Sequence, residues 1–129
     1  MSDLRPVGVP VEVEGVERHF LFTLNVIDEI QEHFKMELSQ VIDNMTDKEK
    51  SNSTVRYLVS ALLNDEAERE AGRGRELKRY TEKEAGWLVT LDNISDILLA
   101  IFKAYGLSLP EPDEDSFPNM ESGQTEEST

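Results

Sequence analysis

The spacing of apolar residues changes period at Thr23, and that change limits the chain to a mixed architecture. Val9, Val11 and Val13 alternate with Pro10, Glu12 and Glu14, Gly15 sits at a turn, and His19, Leu21 and Thr23 alternate with Phe20 and Phe22. Alternation of β-branched and aromatic side chains is the pattern of strands lying on a core. Residues 7–23 therefore predict a β-hairpin. Pro10 has no N–H to give to a ladder, which places its strand at an edge. Two strands alone are marginal in water, so the hairpin has to lie on the rest of the chain. From Thr23 onward the apolar period is helical. The fold class is α+β, an N-terminal β-hairpin packed on a small bundle of four to five helices.

Thr23 predicts the cap of a helix over 24–34, with Leu24, Ile27, Ile30 or Gln31, and Phe34 on its inner face. Asp28 and Glu29 lie near its start, where the helix dipole favours acids. Leu38, Val41, Ile42 and Met45 mark a short second helix at 37–45. Residues 46–53 are polar and offer several caps. Val55, Leu58, Val59 and Leu62 repeat the helical spacing in a third helix over 54–70. Its second half, Asn64 to Glu70, is polar enough to predict an exposed extension. Gly72 and Gly74 then interrupt the pattern, so 71–80 predicts a mobile loop. Thr81 and Glu84 form a capping box for a helix at 82–89, with Trp87, Leu88 and Leu91 as its apolar set. Asp92 or Asn93 caps the last helix. There Ile94, Ile97, Leu98, Ile101, Phe102 and Tyr105 make the cleanest amphipathic stripe in the chain. Gly106 marks its stop, with Pro110 beyond.

Residues 110–129 are acidic and rich in Pro and Ser, and predict a disordered tail after a single domain over 1–109. Half of the net charge of −14 comes from the seven acids that follow Pro110. Both halves repel phosphate, which argues against nucleic acid and anionic membranes as partners. With no cysteine, the chain has no disulfide, zinc–thiolate site or thiol nucleophile. No apolar run reaches the roughly 18–20 residues that span a bilayer. The first residues lack the charged-then-apolar plan of a signal peptide, and a cytoplasmic location is expected.

Chemical motifs are scarce. His19 falls in the hairpin, and His33 follows Glu29 by one helical turn, reading as a surface histidine beside solvated acids. Asp92 and Asp96 at a helix start are explained by capping and the dipole. Gly72-Arg73-Gly74 follows a helix rather than a strand and lacks a third glycine, so it is no dinucleotide fingerprint. The basic residues Arg73, Arg75, Lys78 and Arg79 read as a solvated loop, with docking of an acidic segment, the chain's own tail included, as the alternative. Asp113-x-Asp115 opens like a calcium loop, but Phe117 and Pro118 stand where an oxygen ligand and glycine are needed. These residues imply no metal, no cofactor and no enzyme activity. The functional expectation is protein binding. Ile94, Ile97, Leu98 and Ile101 are assigned to the core, and Trp87, Leu91, Phe102 and Tyr105 to a partner, since aromatics are favoured at binding hot spots.

The order of elements carries a resemblance. A hairpin V-x-V-x-G-x-x-x-x-F-x-F leads into L-x-x-I-x-x-I, then L-x-x-V-I-x-x-M, then V-x-x-L-V-x-x-L-L. A Thr-Glu-Lys-Glu-Ala helix start, an Ile/Leu-rich helix and an acidic tail complete it. Over about residues 9–106 this is similar to the tail assembly chaperones of long-tailed phages and gene transfer agents. The charged insert at 64–80 departs from the pattern. The resemblance implies a chaperone that binds and solubilises the tape measure protein, a long helical client, in the host cytoplasm, and is absent from the mature virion. It also implies the tail tube protein as a second partner and, in many members, a longer frameshifted form. The alternatives are a phage or prophage structural tail subunit, which would self-associate, and an acidic regulatory protein that binds another protein.

Overall fold

Glu14 and Gly15 both take positive φ, 52° and 79°, as the two central residues of a tight hairpin turn of the mirror-image type do. In the computed structural model, which describes residues 7–108, this turn joins β1 (Val9–Val13) to β2 (Val16–Phe20). The strands are antiparallel, with Val9 opposite Phe20, Val11 opposite Arg18 and Val13 opposite Val16. The second strand thus stops at Phe20, short of the hairpin end expected at residue 23. Five helices come after it: α1 (Leu24–Phe34), α2 (Leu38–Asn44), α3 (Ser51–Ala71), α4 (Glu82–Leu88) and α5 (Ile94–Ser108). The fold is α+β, as the change of period implies. The tail reading for 110–129 lies outside the described residues.

α3 is the central element. It touches β2, α1, α2 and α4, while α5 lies on the hairpin. Val55, Leu58, Val59, Leu62 and Leu63 are buried along α3 as the spacing requires. Truncating any one such leucine to alanine costs about 2–5 kcal/mol. The helix starts three residues before the expected position. Asp47 accounts for this, because its carboxylate accepts the Glu49 and Lys50 N–H groups at 2.8 and 3.2 Å and its carbonyl accepts from Ser51.

The polar half of α3 overturns an expectation. Asp65, Glu66 and Ala67 are buried rather than exposed, because polar and charged partners from β2, the start of α1 and α3 itself meet the two acids. The segment after α3 is also tied down at its end. Tyr80 is buried; its N–H donates to the Asn64 side chain at 2.7 Å, and its carbonyl accepts from Asn64 and Ser60 at 2.7 and 2.8 Å.

Thr23 caps α1 as expected, its hydroxyl accepting from the Val26 N–H at 3.2 Å. Leu24, however, is 85% exposed; Val26 and Ile30 form the buried face, with Ile27 and Phe34 packed beside them. Phe20 and Phe22 close the core over them. The Thr81–Glu84 capping box is present at α4, with the two reciprocal hydrogen bonds at 2.8 and 3.1 Å. A second box, Glu37 with Gln40, opens α2. Asn93 stands just before α5, but its side chain works on the preceding turn, accepting from Thr90 N–H and donating to the Leu88 carbonyl, both at 2.8 Å. α5 continues through Gly106 to Ser108 instead of stopping there.

Candidate functional site

Two constellations stand out, one sealed and one open. The sealed one begins with Arg18, which lies between Val16 and Phe20 on one face of β2 and is 2% exposed. Its Nε donates to Glu66 Oε1 at 2.7 Å, and its two terminal nitrogens donate to the carbonyls of Lys78 and Leu63 at 3.0 and 2.7 Å. Glu66 accepts in addition from the His19 N–H at 3.0 Å and faces His19 Nδ1 at 2.8 Å. His19 Nε2 faces Glu17 at 3.0 Å. Burial pushes the Glu66 carboxyl up, but the hydrogen bonds from His19 and Arg18 outweigh it and hold the group below its ordinary value. Beside it, Asp65 accepts from the Thr23 hydroxyl and from Arg69 Nε at 3.0 and 3.1 Å. Around this clasp, Tyr80 donates its phenol to Glu14 at 2.7 Å. Arg18 and Glu66 are enclosed and their hydrogen bonds are spent on the fold. They lock hairpin, α3 and the 72–80 segment together and present no reactive group to a substrate. Sequence reasoning passed over this clasp, although Arg18 in step with Phe20 and Phe22 was its visible sign.

His33 stands apart from it. Its ring stacks on Tyr57 with centroids 3.8 Å apart and 8° between planes, and Phe34 meets both rings edge-on. Its setting is thus an aromatic cluster rather than solvated acids alone. Burial and the Glu29 carboxylate push the Tyr57 phenol up to about 12. Among the described residues, no three His, Asp or Glu side chains are grouped as metal ligands.

The open constellation lies at the turn between α4 and α5. Trp87 is 70% and Leu91 95% exposed. Leu91 borders a hollow of about 400 Å³ whose walls include Val55 and Arg56 of α3, Gly86 of α4, and Val89 and Ile94. Trp87 borders a second hollow with Arg56, Glu82, Lys83 and Gly86. Gly86 lets α3 and α4 meet: a Cβ there would sit 2.8 Å from Arg56 Cδ, so the arginine stem rests directly on the helix backbone. Lys83 places its ammonium 5.9 Å from the centre of the Trp87 ring.

The four side chains assigned to a partner thus separate. Trp87 and Leu91 share this turn. Phe102 is exposed on α5 with Leu99, three residues away on the same side. Tyr105 turns inward, half-buried, with its ring edge-on to Phe22 at 6.3 Å. It helps dock α5 on the hairpin and is not presented to a partner as Trp87 is. Arg56 and Val55 were missed because they lie on α3, some thirty residues before Trp87. Gly86 inside a helix, beside Trp87, was the signal of a close approach. Leu99 was missed as well, an apolar residue one step off the inner stripe. No helix among the described residues is long and apolar enough to cross a membrane. Comparison with family models, curated proteins and solved structures finds no match.

Proposed function

We propose that this chain is a protein-binding escort that holds an apolar helical segment of another polypeptide, in the manner of a phage tail assembly chaperone with its tape measure protein. The observation that carries the reading is the exposure of Trp87 and Leu91 on one turn, beside a hollow walled by Val55, Val89 and Ile94. Large apolar side chains gathered at a concavity are what a helix-in-groove contact uses as anchors; here Asn52, Arg56 and Thr90 share the walls with the apolar residues. Leu99 and Phe102 extend the exposed apolar surface along α5. The net charge of −14 suits a chain that must stay dispersed while such a surface is open. The clasp around Glu66 ties the hairpin to α3, the helix that supplies Val55 and Arg56 to this site.

Titration of the full chain with a tape measure protein tests this. Replacing Trp87 and Leu91 by alanine together is expected to weaken binding by about 2 kcal/mol or more, some thirtyfold, as hot-spot truncations do. Thermal melting should hardly move, because both side chains are already in water. Equal affinity for the double variant and the parent would contradict the reading.

A further inference from the structure

α5 lies on the hairpin with Ile97, Ala100, Ile101 and Ala104 buried. At the helical period, Ser95, Leu99, Phe102 and Gly106 fall on the opposite face, and all four are exposed. Their spacing of four, three and four residues is that of a coiled-coil seam. Large side chains stand at the middle of this seam and small ones at its ends. A Cβ on Gly106 would meet nothing within 4 Å, so packing within the chain does not call for glycine there, although glycine weakens a helix. One flank of the seam is charged. Asp96 and Lys103 are exposed on it, two turns or about 10 Å apart along the axis and too far to pair with each other. Neither makes an ion pair with any described residue. The other flank is apolar, with Leu98 and Tyr105 half-buried.

We propose that this face pairs with the same face of a second copy, the two α5 helices running antiparallel about a two-fold axis. Leu99 of each copy is then level with Phe102 of the other, and Ser95 with Gly106. Antiparallel packing also sets charged flank on charged flank. The nearest charge to each Lys103 is the other copy's Asp96, about 3 Å from level along the axis; Asp92, a turn further out, is about 9 Å from level. The two-fold makes this opposite-charge contact twice. Parallel helices would set the charged flank against the apolar one and lose both contacts. One helix per copy is a small contact, below the about 1,200 Å² of a stable interface, and the net charge of −14 on each copy opposes approach. The dimer is therefore weak, with a Kd of about 0.1 mM, and the chain is a monomer at low micromolar concentration. The inference goes beyond the escort reading and does not depend on it, since Trp87 and Leu91 lie outside α5. A client that spreads along α5 has to displace the second copy.

Charge exchange in the full chain tests the pairing. Asp96→Lys sets lysine on lysine at both contacts, and Lys103→Asp sets acid on acid. In about 0.15 M salt, sedimentation of the parent is expected to show monomer at about 5 µM and mostly dimer at about 300 µM. Each variant alone should dimerise about tenfold more weakly, because two contacts turn from attraction to repulsion, and an equimolar mixture should return to within about threefold of the parent. The mixed pair carries the same total charge as the parent pair, so recovery reads the contact and not the overall repulsion. Phe102→Ser should abolish the dimer with its circular dichroism spectrum unchanged. A parent that stays monomeric at the higher concentration would overturn the inference, as would a mixture no better than the stronger of its two components. A dimer that survives Phe102→Ser and is lost on replacing Trp87 and Leu91 by alanine would also overturn it, since the α4–α5 turn would then be the interface. Client binding is read separately: failure of the mixture to pair, with the client still bound through Trp87 and Leu91, sinks the dimer and leaves the escort reading standing.

Discussion

Arg18 and Glu66 illustrate how far one residue's meaning depends on a partner 48 positions away. Taking both charges out of water is costly, and only good geometry with every lone pair used offsets it. Losing one partner leaves the other charged and buried. Glu66→Gln is therefore expected to destabilise the chain by about 3–5 kcal/mol, read from the urea midpoint. The same residue sets an acid limit. Its carboxyl titrates lower in the folded chain than in the unfolded one, so the folded state gives up the proton more readily. Its contribution is complete above the unfolded carboxyl value of about 4.3 and is lost as the pH falls through the lower folded value. Stability should thus drop on acidification below about pH 4, and Glu66→Gln should flatten that part of the curve; an identical acid profile in the variant would contradict it. Gly8 makes a second residue-scale case. It has φ of 93°, and a Cβ there would sit 2.6 Å from the Phe20 carbonyl oxygen. Gly8→Ala should cost about 1–3 kcal/mol through strain at this φ, read from the melting curve, with no change in Trp87 fluorescence. Arg18 could be read as inward-facing from its step with Phe20; its acceptors could not, since residue spacing says nothing of what a strand meets across the core.

At the scale of elements, the lesson is α3. Its first half declares itself by apolar spacing. Its second half, Asn-Asp-Glu-Ala-Glu-Arg-Glu, looks like a solvated extension because polarity is the only local cue. Three of those polar residues are instead the sockets for neighbours: Asp65 for Thr23, Glu66 for Arg18 and His19, and Asn64 for Tyr80. A helix that serves partners on several sides loses the one-sided pattern on which sequence reading relies. Leu24 fails for a related reason, as its spacing fits but the capped entry of α1 turns it to water. The caps at Thr23 and Thr81 were legible because capping is local chemistry. Asn64→Ala tests the anchoring of the 72–80 segment. It should cost about 1–3 kcal/mol by leaving the Tyr80 N–H unpaired and its carbonyl with Ser60 alone. Burial, followed by the bond to Glu14, pushes the Tyr80 phenol up to about 12. Loosening should bring it back toward an ordinary phenol near about 10, visible in an alkaline absorbance titration. A phenol that titrates as before would show the segment held by other contacts.

Across the whole molecule, a clasped interior backs an exterior that leaves Trp87, Leu91, Leu99 and Phe102 in water. The stripe on α5 was legible at Ile97 and Ile101, which keep strict helical spacing and are buried, but its division was only partly so: Ile94, assigned to the core, is half-exposed and lines the open hollow because it opens the helix beside Leu91. Tyr105 was not, since only the packing of α5 on the hairpin brings it to Phe22. The hollow beside Trp87 was not legible either, being formed by α3 and α4 together. Hydrogen exchange of the full chain with and without a tape measure protein measures the central claim most directly. The account predicts slowed exchange confined to residues 82–94 and the outer turns of α5, with the Glu66 clasp already protected in both states. No slowing at that turn, or slowing confined to the hairpin and α2, would contradict it.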